Sequence, residues 1–271
     1  MGPELKGLLE EINLKYNYDF RHYSTASMKR RVTQAIDSLG FHSILELQKK
    51  VIQDSACFHD LLQYLTVPVS EMFRDPSYFR SLREKVVPIL KTYPSLKIWV
   101  AGCSTGEEVY SLAILLKEEG LLSRTILYAT DINPRSLEKA EQGIFNLEDI
   151  QKYSENYQKS GGKRLFSDYF TESGKGRLST VTFNKTLRKN VTFSDHSLVT
   201  DAVFSETHLI SCRNVLIYFD HELKDKAIGL FQESLCRKGF LGLGAKETLQ
   251  FSHHSNAFSS FVKEDRIYQK N

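Results

Sequence analysis

The sequence predicts an α/β protein, an open doubly wound sheet preceded by an all-helical domain and interrupted by a small antiparallel insert. Three observations predict it. The apolar run Ile98–Ala101 passes through Gly102 and Gly106 straight into an amphipathic helix, a strand–loop–helix pattern. A second apolar run, Thr125–Thr130, follows about one βα unit later and ends on Asp131. Residues 1–70 carry apolar residues at helical spacing, whereas residues 159–190 break the α/β rhythm with glycine turns and strand-like runs. The expected organisation is a helical domain over 1–70, a linker and leading helix over 71–95, and the sheet domain over 96–271 with its insert at about 159–190.

In the helical domain, Leu5, Leu8, Leu9, Ile12 and Leu14 recur roughly at helical spacing. Met28, Val32, Ala35, Ile36 and Leu39 mark a second helix that Gly40 stops. Two further helices run from about Ser43 and from Phe58. Thr66–Arg80 has turn-like character but too many aromatics for a free linker, so it must pack against something. Pro76 then opens a helix leading to the first strand. After Asp131, Asn133 is placed to cap a helix that Pro134 begins. The insert is expected to hold two strands, Arg164–Phe170 and Arg177–Phe183, about a turn at Gly174–Gly176. The α/β pattern resumes at Val191–Phe193 and His208–Ser211, and Asp220 caps a helix through Leu223, Ala227 and Phe231. A strand over Phe240–Gly244 and a final strand pair close the chain.

Composition narrows the partners. The 271 residues carry a net charge of +3, too little to argue for nucleic acid. The first 70 residues balance eight Lys/Arg against eight Asp/Glu, with a local basic cluster at Arg21, Lys29, Arg30 and Arg31. The insert holds eight Lys/Arg against two Asp/Glu, a surplus that favours an acidic partner. The four cysteines lack metal-type spacing and fit reduced thiols, so no metal is expected. With no apolar run of membrane length and no leader-like start, a cytoplasmic, monomeric protein is expected.

The loop after the first strand selects the ligand. Glu107 and Glu108 in a helix first turn repel a pyrophosphate, whereas a cationic nucleoside such as S-adenosylmethionine suits them. Taken singly, either glutamate reads better as a complement to the helix dipole. Asp131, at a strand's carboxyl end, is placed to accept ribose hydroxyls. Ser104 and Thr105 are expected to satisfy free N–H groups at the helix start. Arg213, Asn214 and Tyr218, following the fourth strand, are placed to line the same cleft.

Ser-Thr-Gly-Glu-Glu-x-Tyr-Ser at 104–111, Ala-Thr-Asp-Ile at 129–132, Cys-Arg-Asn-Val-Leu-Ile-Tyr-Phe-Asp at 212–220 and Phe-Arg-Asp at 73–75 together resemble the CheR-type chemotaxis receptor protein-glutamate O-methyltransferases. The resemblance covers nearly the whole chain. It implies a Rossmann-like S-adenosylmethionine-dependent methyltransferase domain, with the cofactor held by residues matching Ser70, Arg74, Glu108, Asp131, Ser197, Leu198, Cys212 and Arg213, beside Gly102, whose missing side chain lets a ligand approach closely. It places Arg213 and Tyr218 near the transferred methyl and makes Lys29, Arg30 and Arg31 part of a surface for receptor methylation helices. Some members use the insert to tether a receptor peptide. Pro68 and Ser197 stand where the family usually has Asn, each removing an amide, and Gly244-Ala-Lys-Glu247 replaces the more frequent Gly-His-Ser-Glu.

The activity implied is methyl transfer to glutamate carboxylates of chemotaxis-type receptors. Arg213 and Arg74 hold carboxylate or cofactor, and Tyr218 orients the attacking oxygen. A solvated glutamate is already anionic near neutrality, so no general base is required. The alternative is an S-adenosylmethionine-binding interaction module without catalysis, favoured by Pro68 and Ser197 and opposed by Arg74, Asp131, Arg213 and Tyr218. A small-molecule methyltransferase or nicotinamide enzyme on such a sheet is opposed by the basic insert and by the Glu107–Glu108 pair.

Overall fold

A computed structural model describes residues 2–271 apart from 175, 177 and 178. Four helices, α1 (Pro3–Tyr16), α2 (Thr25–Leu39), α3 (Ile44–Gln53) and α4 (Ser55–Leu65), form the N-terminal domain. Local chemistry sets their ends. Ser43 caps α3 by accepting the Glu46 N–H, while the Glu46 carboxylate accepts the N–H of His42. Asp54 caps α4, and Gly40, at φ 76°, stops α2.

The connection that follows packs tightly, as its aromatics require: Met72 and Phe73 are fully buried. Helices α5 (Pro76–Ser81) and α6 (Val87–Leu90) are joined by a π-helical turn over Leu82–Val86, where Pro88 withholds an intrahelical donor.

The main sheet contains β1 (Leu96–Ala101), β2 (Thr125–Asp131), β6 (Val191–Asp195), β7 (Thr207–Cys212), β8 (Leu235–Leu243), β9 (Phe258–Val262) and β10 (Ile267–Lys270). Its order is β6-β2-β1-β7-β8-β10-β9. The first five run parallel, and β10 pairs antiparallel with both β8 and β9. From β1 the chain winds outward through β2 to β6, then returns to β7 on the other side. The topological switch therefore lies between β1 and β7, where a ligand crevice is expected. Helices α7 (Glu107–Glu118), α8 (Pro134–Gln142) and α11 (His221–Ser234) provide connections. Asn133 caps α8 as its sequence context implied, accepting from Arg135 and Ser136.

The insert is larger than its sequence suggested. Its sheet has three strands, because β3 (Ile144–Asn146) joins β5 (Thr180–Phe183) and β4 (Phe170–Ser173) ahead of α9 (Leu147–Lys159), and α10 (Lys185–Arg188) follows. The strand expected from Arg164 begins only at Phe170. Residues Phe166–Tyr169 form a 3₁₀ turn instead, which brings both aromatic ends into contact with Tyr157. The expected turn at Lys175 and the strand start at Arg177–Leu178 lie outside the described residues.

Two apolar clusters cover the two faces of the sheet. One packs α7, the α5–α6 segment and the insert around Ile98, Val100 and Phe183. The other joins the N-terminal helices to Trp99, Ala101, Ile210 and Leu241. The helical domain also clips onto the 218–220 segment: Ser24 donates its N–H to the Tyr218 carbonyl at 2.8 Å, and Asp220 donates to His22 at 2.9 Å. Among the described residues, no helix is long and apolar enough to cross a membrane.

Candidate active site

The crevice at the carboxyl ends of β1, β2 and β7 opens into a cleft of about 960 Å³ including its mouth. Its walls come from both domains: Tyr23, Arg31 and Leu65 from the helical domain, Pro68, Ser70 and Arg74 from the connection.

Gly102 starts the β1 loop at φ 75°, and a Cβ there would meet Val215 at 2.4 Å. Only glycine lets the two loops approach this closely. Asp131 organises the loop from the neighbouring strand, accepting the Ser104 N–H at 2.8 Å and the Asn133 N–H at 2.9 Å. Burial raises its pKa, and the backbone N–H groups oppose that shift. The expected capping by Ser104 and Thr105 is not seen. The Thr105 hydroxyl goes to Glu107, while the buried Ser104 Oγ has no partner among the described residues and lines the cleft. An orphan hydroxyl beside an acceptor carboxylate fits a nucleoside ligand.

Glu108 and Arg213 form the floor. Glu108 accepts from Ser211 at 2.6 Å and from Arg213 at 3.1 Å. Arg213 also donates to Asp75 at 2.7 Å and to the Arg74 carbonyl at 2.9 Å, with its guanidinium 4.2 Å from the Tyr78 ring centre. Burial opposes its charge, but Glu108, Tyr78 and Asp75 more than offset this and its pKa is raised. So many engagements make Arg213 a brace between cleft walls. Arg74 lines the cleft between Phe73 and Asp75, both non-glycine residues at positive φ, 51° and 55°. Such backbone costs of order 1 kcal/mol each and persists where the surroundings dictate it.

Three placements depart from the sequence expectation. Cys212 is fully buried in the core and does not line the cleft, because a central parallel strand is covered on both faces. Ser197 spends its hydroxyl on the N–H groups of Val199 and Thr200 and faces an adjoining cavity, leaving His196 and Leu198 at the cleft itself. Arg31 is not on an exposed docking face: it is 3% exposed, whereas Lys29 and Arg30 are open to solvent.

Arg31 reaches into the cleft. It donates to the Leu65 carbonyl and lies 4.3 Å from the centre of the Tyr218 ring. Its Nε and second terminal nitrogen have no partner, and no carboxylate among the described residues pairs with it. Burial lowers its pKa. A buried cation without an anion is costly, and such groups concentrate at functional sites. Sequence periodicity contained the signal: Arg31 lies three residues after Met28 and four before Ala35, on the buried side of α2. Asn214 and Val215 also line the cleft.

Comparisons with known proteins agree with this geometry. Residues 68–266 match the family model described as CheR methyltransferase, SAM binding domain, and residues 3–66 match CheR methyltransferase, all-alpha domain. The chain is 56% identical over 267 residues to the putative methyltransferase Cher3 of Pseudomonas putida, covering 98% of this chain and 96% of that protein. It is 31% identical to a chemotaxis protein methyltransferase of Listeria monocytogenes, over 85% and 84% of the two chains, and 30% identical to that of Salmonella typhimurium, over 88% and 76%. The chain belongs to the CheR methyltransferase family and carries its S-adenosylmethionine-binding domain.

Proposed function

We propose that this chain transfers a methyl group from S-adenosylmethionine to glutamate side chains of chemotaxis-type receptors, giving glutamate methyl esters. The observation that carries the reading is Arg31, a buried guanidinium without an anionic partner among the described residues, lining the cleft beside Tyr218. When bound, the cofactor supplies a methyl group on a positively charged sulfur.

The protein's task is alignment. A glutamate carboxylate is ionised well above its usual pKa of about 4.3, so no side chain has to remove a proton. Arg31 receives that carboxylate, and Tyr218 orients the oxygen that takes the methyl. Asp131 and the Ser104 hydroxyl meet the ribose end, Ser70 and Arg74 the amino-acid end. Arg213, held by Glu108 and Asp75, keeps the floor rigid. Holding reactants in line supplies roughly 7–11 kcal/mol of a barrier.

Lys29 and Arg30, exposed on α2 beside Arg31, offer a surface for acidic receptor helices. Part of the insert's charge is used internally, since Lys163 pairs with Glu119 at 2.6 Å.

The test is titration calorimetry with S-adenosylmethionine and S-adenosylhomocysteine, followed by labelled methyl transfer to receptor-containing membranes. Binding with base-labile label on the receptors is expected. Cofactor binding without transfer to any receptor preparation would favour the non-catalytic module, and failure to bind either ligand would refute the reading.

A further inference from the structure

The Gly244–Glu247 segment packs against the 213–218 loop, and nothing above uses it. Glu247 is 4% exposed and has no cationic partner among the described residues. Its carboxylate is instead filled by backbone N–H groups: Asn214 at 2.9 Å and Gly244 at 2.6 Å on one oxygen, Ile217 at 3.2 Å on the other. The backbones are pressed together here. A Cβ on Gly244 would sit 2.8 Å from the Asn214 nitrogen, and Asn214 itself holds a positive φ of 61°.

The two loop amides held by Glu247 are the immediate neighbours of Arg213 and Tyr218. Ile217 belongs to the 3₁₀ turn Leu216–Tyr218, so a carboxylate on its N–H stabilises the turn that presents the tyrosine ring. On the far side, the Tyr218 carbonyl is taken by Ser24 of the helical domain.

We propose that Glu247 is a positioning residue for the reaction: its carboxylate clips the 213–218 loop at two points and so sets Arg213 and Tyr218 at the distances the cleft requires. The residue touches neither substrate nor cofactor. The inference rests on the proposed role of Tyr218, and its test separates the two.

The full-length chain carrying Glu247→Gln, and separately Glu247→Asp, is compared with the parent by amide hydrogen exchange and by methyl transfer to receptor membranes. Glu247→Gln is expected to speed exchange of the 213–218 segment at least about tenfold and leave peptides from β1 and α7 unchanged. Transfer should fall at least about tenfold, at 1.36 kcal/mol per tenfold. Combined with Tyr218→Phe, the loss should be smaller than the product of the two single losses, because both act through one side chain. Glu247→Asp keeps the charge but shortens the reach to Asn214 and Ile217, and should show the same local loss of protection. Unchanged exchange at 213–218 in a folded variant, loss of protection spread over the whole sheet, or losses that multiply would overturn the inference. If Tyr218→Phe alone leaves transfer intact, the catalytic reading of Tyr218 fails, and local exchange alone decides the clip.

Discussion

Replacing Arg31 by methionine separates what this side chain does for the fold from what it does for the reaction. The substitution gives up the bond to the Leu65 carbonyl, about 1.5–3 kcal/mol for a charged donor. It also gives up the stack on Tyr218, about 0.5–2 kcal/mol. Against these losses it removes two buried nitrogens without partners, each costing about 1–3 kcal/mol. The terms nearly cancel, and stability is expected to move by less than about 2 kcal/mol, an ordinary core substitution. Transfer is affected differently. Removing one partner of a buried charge pair costs about 2–5 kcal/mol, or roughly 30- to 5,000-fold in kcat/KM. The loss should appear mainly in KM for the protein substrate, since the carboxylate loses charge as the ester forms and the guanidinium holds the ground state at least as well. Denaturant unfolding, cofactor calorimetry and steady-state transfer measure the three quantities. A stability loss that tracks the activity loss, or a cofactor affinity that falls with it, refutes the assignment of Arg31 to the substrate carboxylate.

Three further outcomes are expected. Tyr218→Phe keeps the ring beneath Arg31 and removes only the hydroxyl, so transfer should fall about 10- to 100-fold while cofactor affinity holds in calorimetry; equal loss of both would remove Tyr218 from the reaction. Gly102→Ala forces a Cβ into Val215 at a backbone of φ 75°, and should cost about 1–3 kcal/mol with cofactor binding weakened more than tenfold; near-parental calorimetry would show that the loop yields. The insert is anchored by Glu118, which accepts from Tyr157, Tyr169 and the Lys163 N–H, and by Glu119 with Arg83, Lys91 and Lys163. Burial works to raise both carboxyl pKa values, but these donors outweigh it, holding Glu118 below its usual value and Glu119 at about 2. A folded-state pKa below the unfolded one gives stability that is complete above the unfolded value, about 4.3, and is lost as pH falls towards 2. Thermal melts from pH 6 to 3 should show this decline, and it should shrink in Glu119→Gln.

Much of the site was legible because backbone needs are written in residue type. Gly102 and Asp131 at strand ends and the Asn133 cap stand in the structure where their local chemistry placed them, whereas Phe73–Asp75 was marked only by resemblance and by the need of its aromatics to pack. What escaped sequence reading depends on burial by partners distant in the chain. A basic run reads as a solvated face until α2 is seen packed on α4 with Arg31 turned inward. Cys212 ends a strand at the cleft, yet its side chain faces the core, since successive residues alternate sides. Ser197 prefers its own turn, a local bond that competes with any ligand. The third insert strand is too short, at three residues, to show alternation.

The costs of this fold are concentrated where its two domains meet. Of the non-glycine residues described at positive φ, Phe73, Asp75, Ser104 and Asn214 adjoin the cleft, and it is there that Arg31, Arg213 and the Ser104 hydroxyl are buried with unpartnered polar atoms. Local rules broken together in one place mark function rather than chance. The helical domain is therefore more than an appended docking module. Arg31 and Tyr23 form cleft wall, and Ser24 and His22 hold the segment carrying Tyr218. A receptor helix lying along α2 would press on the same helix that carries Arg31 into the site, so the proposed docking and alignment share one rigid element. On the proposed reading, specificity for a protein substrate would follow from construction, because Arg31, proposed to receive the carboxylate, is supplied by the domain proposed to meet the receptor.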